Sequence, residues 1–416
     1  MSDSPSTSTK LPFVVILLAL GTFLMGTTEL VIAGILPEIA SDLGVGVSQA
    51  GLLITSFAIG MIVGSPTMAI ATLRLPRRST LVLALIVFAA GHAVAALSSS
   101  FTVVFVARAL TALATGTFWA VASVVAAAAA PPAARSRALG VMMSGASLAT
   151  VVGVPLGSWA GQSIGWRGMF WALAALAAVA AVAIGRFVPA EEERPTVSVR
   201  SEIAALGQGR LWLSMAVTAL ITGGAMAAFT YISPLLTDRA GISASAVPLV
   251  LAGYGIGALV GSNAGGRFGG HKPLTTIATS ATTGTLVLLL LQTPLSHNPV
   301  TTIVLVVLLG VVAMSVPPVV TALSVRFAGN APTLAVAVTV SAFNAGIAAG
   351  SSIAAKALDS SLGLTGPALV GTVMVALAGL PLVALAAIRA TRAETPEAGQ
   401  SGADVEPADE NASATV

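Results

Sequence analysis

Two ionisable side chains sit inside stretches that are otherwise apolar: Glu29 in LLALGTFLMGTTELVIAGIL and Arg108 in FTVVFVARALTALATG. A charge at depth in a bilayer costs several kcal/mol and sits against a cavity or a partner. A carboxyl in a low-dielectric cavity holds its proton tightly, and a nearby Arg⁺ loosens it. If the cavity opens first to one side of a membrane and then to the other, such a carboxyl loads a proton on one side and releases it on the other. A fixed ion pair that only tethers two helices is the alternative. Intramembrane charges mark ion and proton pathways by default, which favours exchange, with Glu29 and Arg108 as the coupling pair. Other chemistry is poorly served. The chain has no cysteine, so thiol catalysis, disulfides and thiolate metal sites are excluded. His92, His271 and His297 are far apart and read as interfacial residues near span ends, so neither a metal site nor a cofactor is expected. With one acidic residue at depth and no cluster of His, Cys or carboxylates, an enzyme is not expected either.

These residues must be positioned by membrane helices. The chain is 56% hydrophobic and 8% charged, against roughly 25% charged in an average soluble domain. Hydrophobic runs at about 12–35, 48–71, 79–97, 101–124, 138–161, 168–188, 211–234, 246–266, 274–293, 299–325, 332–356 and 366–388 each suffice to cross a bilayer. The fold class expected is an all-α polytopic membrane protein of twelve transmembrane helices. Fifteen of the nineteen Lys and Arg fall in the two chain ends and the even-numbered loops, three (Arg167, Arg239, Lys356) in the odd-numbered loops, and Arg108 within a span. Such an excess marks the cytoplasmic side, so both termini are expected in the cytoplasm and the chain in the cell inner (cytoplasmic) membrane. The net charge of +3 comes from dispersed loop residues and implies no nucleic-acid partner. Residues 1–11 precede a full-length span with no small-residue cleavage site, so the first span reads as a retained anchor.

Counted along its span, Glu29 lies six residues before the outer end, ~9 Å deep, and Arg108 about seven residues after its outer start, ~10 Å deep. They share one layer. Glu38 and Asp42, in the loop that follows, read as solvated residues or a helix start, with Asp42 or Ser48 as caps. Asp238 and Arg239 read the same way.

The stretch 191–210, with three successive glutamates, separates a bundle of six helices at 12–190 from another at 211–389; 390–416 reads as a disordered tail. The two bundles are copies. An offset of 197 aligns Gly26 with Gly223, Pro37 with Pro234, Gly44 with Gly241, Ile59–Gly60 with Ile256–Gly257, and Gly153 with Gly350, without a gap. Such repeats belong to transporters that rock two halves about a central site. The same offset puts Met226 opposite Glu29 and Leu305 opposite Arg108, so the charges belong to one half. The fifth span carries Gly145, Gly153, Pro155, Gly157 and Gly161, while its copy has Ser352 at the proline position. Small residues let helices approach closely, and a proline bends one. The one-sided proline points to gating.

At these residues the chain resembles the major facilitator superfamily, in particular its twelve-helix drug:proton antiporter branch. GASLATVVGVPLGSWAG looks like the antiporter signature of that branch, and Arg108 matches the arginine of its fourth-helix signature. LRLPRR, with Arg74, Arg77 and Arg78, resembles the cytoplasmic basic loop. It departs in having Leu73 and Pro76 at the usual aspartate and glycine, which puts the standard charge relay in doubt. The first span looks like chloramphenicol and arabinose-type sugar exporters. The resemblance implies two six-helix bundles and a pocket between their inner helices, for which Thr28, Phe118, Trp119, Tyr231 and Asn344 are candidates, with Tyr254 nearby. It implies a secondary active exporter, a monomer in the bilayer, that exchanges a small amphipathic compound such as a chloramphenicol-like drug against protons by alternating access. A sugar or metabolite exporter and a non-transporting receptor are the alternatives. The scarcity of buried polar groups favours an amphipathic substrate over a sugar.

Overall fold

The computed structural model describes residues 11–71, 75–131, 134–189, 207–328 and 332–393. Arg74, nearly all of the N-terminal segment, most of the 191–210 linker and most of the 390–416 tail lie outside the described residues.

Among the described residues, twelve helices are long and apolar enough to span a membrane: Phe13–Gly34, Val47–Met68, Arg77–Leu97, Phe101–Ala129, Arg137–Ser163, Gly165–Phe187, Gly209–Thr230, Ala244–His271, Pro273–Leu290, Pro299–Phe327, Leu334–Leu358 and Gly363–Ile388. Each takes up one of the expected runs. In hydrocarbon a helix meets the hydrogen-bonding needs of its own backbone, which is why the apolar runs become helices. Large apolar side chains remain uncovered along their flanks, Leu249 at 77% and Val182 at 75% exposure among them, as lipid-facing residues would be. Among the described residues, most Lys and Arg lie at one end of the bundle, the basic face; Arg167, Arg239 and Lys356 lie at the opposite face.

The internal repeat is physical. Gly44 and Gly241, which the 197 offset pairs, both adopt positive φ (63° and 68°) after the first span of their halves, a conformation that glycine takes without a Cβ penalty. A Cβ on Gly26 would lie 3.0 Å from the Ala149 methyl, and one on Gly223 would lie 2.4 Å from the Gly346 carbonyl. Each is the contact of a half's first span with its fifth. Spans two and four likewise meet at Gly60 against Ala109, and spans eight and ten at Gly257 against Val307. With lipid as solvent, close backbone packing of this kind holds helices together.

Between the halves, the second span runs along the eleventh and the fifth along the eighth. Thr55 and Ser351 hydroxyls meet at 2.7 Å, and Ser341 donates to the Ile62 carbonyl at 2.9 Å. A Cβ on Gly255 would lie 2.4 Å from the Thr150 carbonyl. At the opposite face the halves close over Tyr231, whose hydroxyl donates to the Ser48 carbonyl at 3.2 Å and faces that of Ser351 at 3.4 Å.

The loop after the first span departs from expectation. Leu36–Leu43 is a short helix with Pro37 in its first turn. Asp42 caps nothing: it accepts from the Trp166 indole at 2.9 Å and pairs with Arg167. Ser48 is buried, and its carbonyl serves Tyr231. Glu38 is partly buried, with Oε2 lacking a hydrogen-bond partner, and burial pushes its carboxyl above the usual range. Arg239 donates to Ser296 Oγ at 2.5 Å and to the carbonyls of Gln292 and Thr293. Both arginines of the opposite face are therefore held as local ties.

Candidate functional site

The first span is helical to Leu30 and tightens into a 3₁₀ turn over Val31–Gly34. Glu29, one residue before the change, is partly exposed to a small cavity that it lines with Leu30, Ile54, Phe57, Ala58, Met226, Asn344 and Ile347. These come from the first, second, seventh and eleventh spans, so both halves contribute. Met226 stands at the repeat position of Glu29, which places a thioether across the junction from the carboxyl. Asn344 donates to the Val340 carbonyl at 3.0 Å, and its Oδ1 has no partner.

Arg108 is 1% exposed. It does not clasp Glu29. Nη1 donates to the Thr28 hydroxyl at 2.9 Å, while Nε and Nη2 have no hydrogen-bond partner. Its guanidinium carbon lies 4.5 Å from the centre of the Phe57 ring, which is also a wall of the cavity. A hydrogen bond to a charged group contributes roughly 1.5–3 kcal/mol, and a buried unpaired donor costs about 1–3 kcal/mol. The guanidinium is therefore under-bonded where it sits, beside the carboxyl it was expected to hold.

The Thr28 hydroxyl also meets His92 Nε2 at 2.7 Å, and His92 Nδ1 meets the Phe88 carbonyl at 2.8 Å. His92 is 1% exposed, between the rings of Phe88 and Phe170. It is not the interfacial side chain expected from sequence. The signal was present: His92 lies five residues before the end of its helix at Leu97, ~8 Å deep at ~1.5 Å per residue, in the layer of Glu29 and Arg108.

The pocket candidates separate. Asn344 lines the cavity, and Thr28 belongs to the Arg108 network. Phe118 is packing: its ring fills the space over Gly21, where a Cβ would lie 2.2 Å from the ring. Trp119 is half-buried, with an indole nitrogen that has no partner. Tyr231 seals the opposite face instead of lining the cavity. Tyr254 stacks on Phe229 at 4.1 Å. Phe57 and Met226, which do line the cavity, are ordinary core residues in the sequence.

The fifth span is broken just before its proline. Helix over Arg135–Leu148 gives way to a π turn over Ala149–Gly153, and helix resumes at Val154–Ser163. Pro155 lacks an N–H, and the wider turn ahead of it accommodates the missing bond. Cβ atoms on Gly145, Gly153, Gly157 and Gly161 would meet Ala19, Thr27, Val31 and Ile35 at 2.1, 2.1, 2.6 and 2.5 Å. The glycines thus form one stripe along the first span. The π turn meets Gly255 of the other half, and Ser158 donates to the Gly34 carbonyl at 2.9 Å. Of the basic loop, Arg77 and Arg78 open the third span.

The sequence profile of the Major Facilitator Superfamily matches residues 18–350. A chloramphenicol resistance protein of Streptomyces lividans is 38% identical over 88% of this chain and 95% of its own. The inner membrane transport protein YdhP of Escherichia coli K12 is 31% identical over 89% of this chain and 95% of its own. A crystal structure of a bacterial homolog of the human lysosomal transporter Spinster, inward-facing, superposes with a TM-score of 0.69 at 16% identity, covering 93% of this chain and 96% of that one. That likeness concerns the fold alone. With twelve spans in two repeated bundles, this chain belongs to the Major Facilitator Superfamily and is a multi-pass membrane transporter.

Proposed function

We propose that this transporter exports a small amphipathic compound, of the chloramphenicol-like kind, in exchange for protons by alternating access. The observation that carries the reading is the placement of Glu29: a carboxyl at the junction of the two halves, facing a cavity, with an under-bonded Arg108 on its neighbour Thr28. Closing one face while the other opens changes the solvation of Glu29, and with it the proton affinity. The cavity wall is mainly aliphatic and aromatic, which suits an amphipathic substrate, and the name of the Streptomyces relative points the same way. In this reading the basic face is cytoplasmic, both termini lie there, the membrane is the cytoplasmic (inner) one, and the sealed face is external. The chain works as a monomer with the substrate, protons and lipid as its partners. The driving force suffices: ~2.3 kcal/mol per charge per 100 mV, with ~1.4 kcal/mol more per pH unit.

The test is Glu29→Gln in proteoliposomes loaded with chloramphenicol. Binding should survive, and uphill export driven by a pH gradient should be lost. Uphill export at the unaltered rate would assign Glu29 to structure. Retention assays with arabinose on the same vesicles would expose a sugar exporter instead.

A further inference from the structure

The hydrogen bonds around Thr28 can be given directions. The Phe88 carbonyl only accepts, so His92 Nδ1 carries a proton. Arg108 only donates, so Thr28 Oγ accepts from it. Buried beside a guanidinium, the imidazole is neutral, so Nε2 is bare and takes the single Thr28 hydroxyl proton. The result is one ordered chain, from Arg108 to Thr28 to His92 to the Phe88 carbonyl, with the imidazole neutral. The Phe88 and Phe170 rings, 4.2 and 5.2 Å from the imidazole centre, fix its plane. Thr28 is thereby held as an acceptor aimed at the guanidinium. Glu29 follows Thr28 on the same turn, and Arg108 keeps two donors unsatisfied.

We infer that His92 is a positioning residue for proton coupling: through Thr28 it holds Arg108 on a parking bond and so keeps the guanidinium off Glu29. The inference rests on the coupling role of Glu29 and Arg108 proposed above. When the first and fourth spans shift against each other, the parking bond breaks and the two free donors reach the carboxyl. Without His92 the Thr28 hydroxyl proton has no fixed acceptor, the bond to Arg108 loses its direction, and the guanidinium is drawn to Glu29 at all times. Other ionisable residues stand apart from this chain. On the sixth span, which packs against His92, Arg167 is tied to Asp42 at the opposite face and Arg186 lies in the last turn at the basic face. On the third span itself, Arg77 and Arg78 lie in the first turn. The spans that complete the Glu29 cavity bring only Arg210, at the start of the seventh, and Lys356, at the end of the eleventh.

The experiment follows Glu29 directly, with no need for a substrate. The full chain in detergent is titrated by pH-difference infrared spectroscopy, and the carboxyl C=O band that vanishes in E29Q is assigned to Glu29. His92→Phe keeps a ring between Phe88 and Phe170 but removes both nitrogens. Thr28→Val removes the hydroxyl at constant shape. His92→Gln retains one donor and one acceptor. H92F and T28V should both move the Glu29 midpoint to lower pH by roughly one unit or more, as a free Arg⁺ beside a carboxylate does. H92Q should stay near the unmodified protein. If H92F fails to fold, T28V carries the test. An unchanged midpoint in T28V overturns the inference, as does a shift in H92Q as large as in H92F, or an E29Q spectrum that loses no titrating band. The coupling role fails separately, by uphill chloramphenicol export that survives E29Q.

Discussion

The hydroxyl of Tyr231, just past the end of the seventh span, donates across the junction of the halves to the carbonyl of Ser48 at the start of the second. The ring sits over Gly51, where a Cβ would lie 2.4 Å from the hydroxyl oxygen. The Ser351 carbonyl lies on its other side at 3.4 Å. Three helices of two halves thus meet on one oxygen, which makes this contact a latch for the opposite face.

Tyr231→Phe removes the latch at constant shape. A hydrogen bond of this kind contributes about 1 kcal/mol net, so the face should open roughly five-fold more often. The chain has no cysteine, so a cysteine placed at buried Ser48 would be its sole thiol. It should react with a water-soluble maleimide several-fold faster in Y231F. Equal rates would deny the latch.

Gly145→Ala and Gly157→Ala should differ. A Cβ at Gly145 meets the Ala19 backbone carbonyl at 2.1 Å, which has little freedom to move, whereas at Gly157 it meets the tip of Val31 at 2.6 Å. Overpacking costs about 1–3 kcal/mol. The Gly145 variant should show the larger fall in unfolding temperature in detergent.

Pro155→Leu restores an N–H and lets the π turn over Ala149–Gly153 relax toward regular helix. Insertion, measured as the amount of folded protein in membranes, should hold while the transport rate drops. Undiminished transport would make the break in this helix ordinary packing.

Glu38 gives a pH dependence. Burial raises its carboxyl in the folded protein, so the folded state binds the proton more tightly than the unfolded one. Its contribution to stability is then fully present below the ordinary carboxylate range and is lost as pH rises through the raised value. Glu38→Gln keeps the neutral form at every pH. The unfolding temperature of E38Q should therefore exceed that of the unmodified chain at neutral pH, with the gap closing as the medium is acidified. A gap that widens in acid would contradict the burial argument.

The orientation proposed here is tested by fusions. A reporter at Gln208 or after Arg392 should read cytoplasm, and one at Ser99 or His297 the exterior. An exterior signal at Gln208 would invert the assignment of faces.

What the sequence determined is what lipid imposes locally. A run of apolar residues long enough to span hydrocarbon has one solution for its backbone, so the twelve helices and their repeat were legible, down to the pairing of Gly44 with Gly241. The rarity of a charge in such a run also singled out Glu29 and Arg108 as residues of one layer. Tertiary structure decided which neighbours those charges have. Depth along a helix follows from counting, but the direction of a side chain around it does not when nearly every residue is apolar. The shift of Arg108 to Thr28, the place of His92 behind that bond and the removal of Phe118 and Tyr231 from the cavity therefore appear only once the helices are packed. The fifth span shows both sides. Its proline announced a break, but that its four glycines form a stripe on the first span is a fact of how two helices cross.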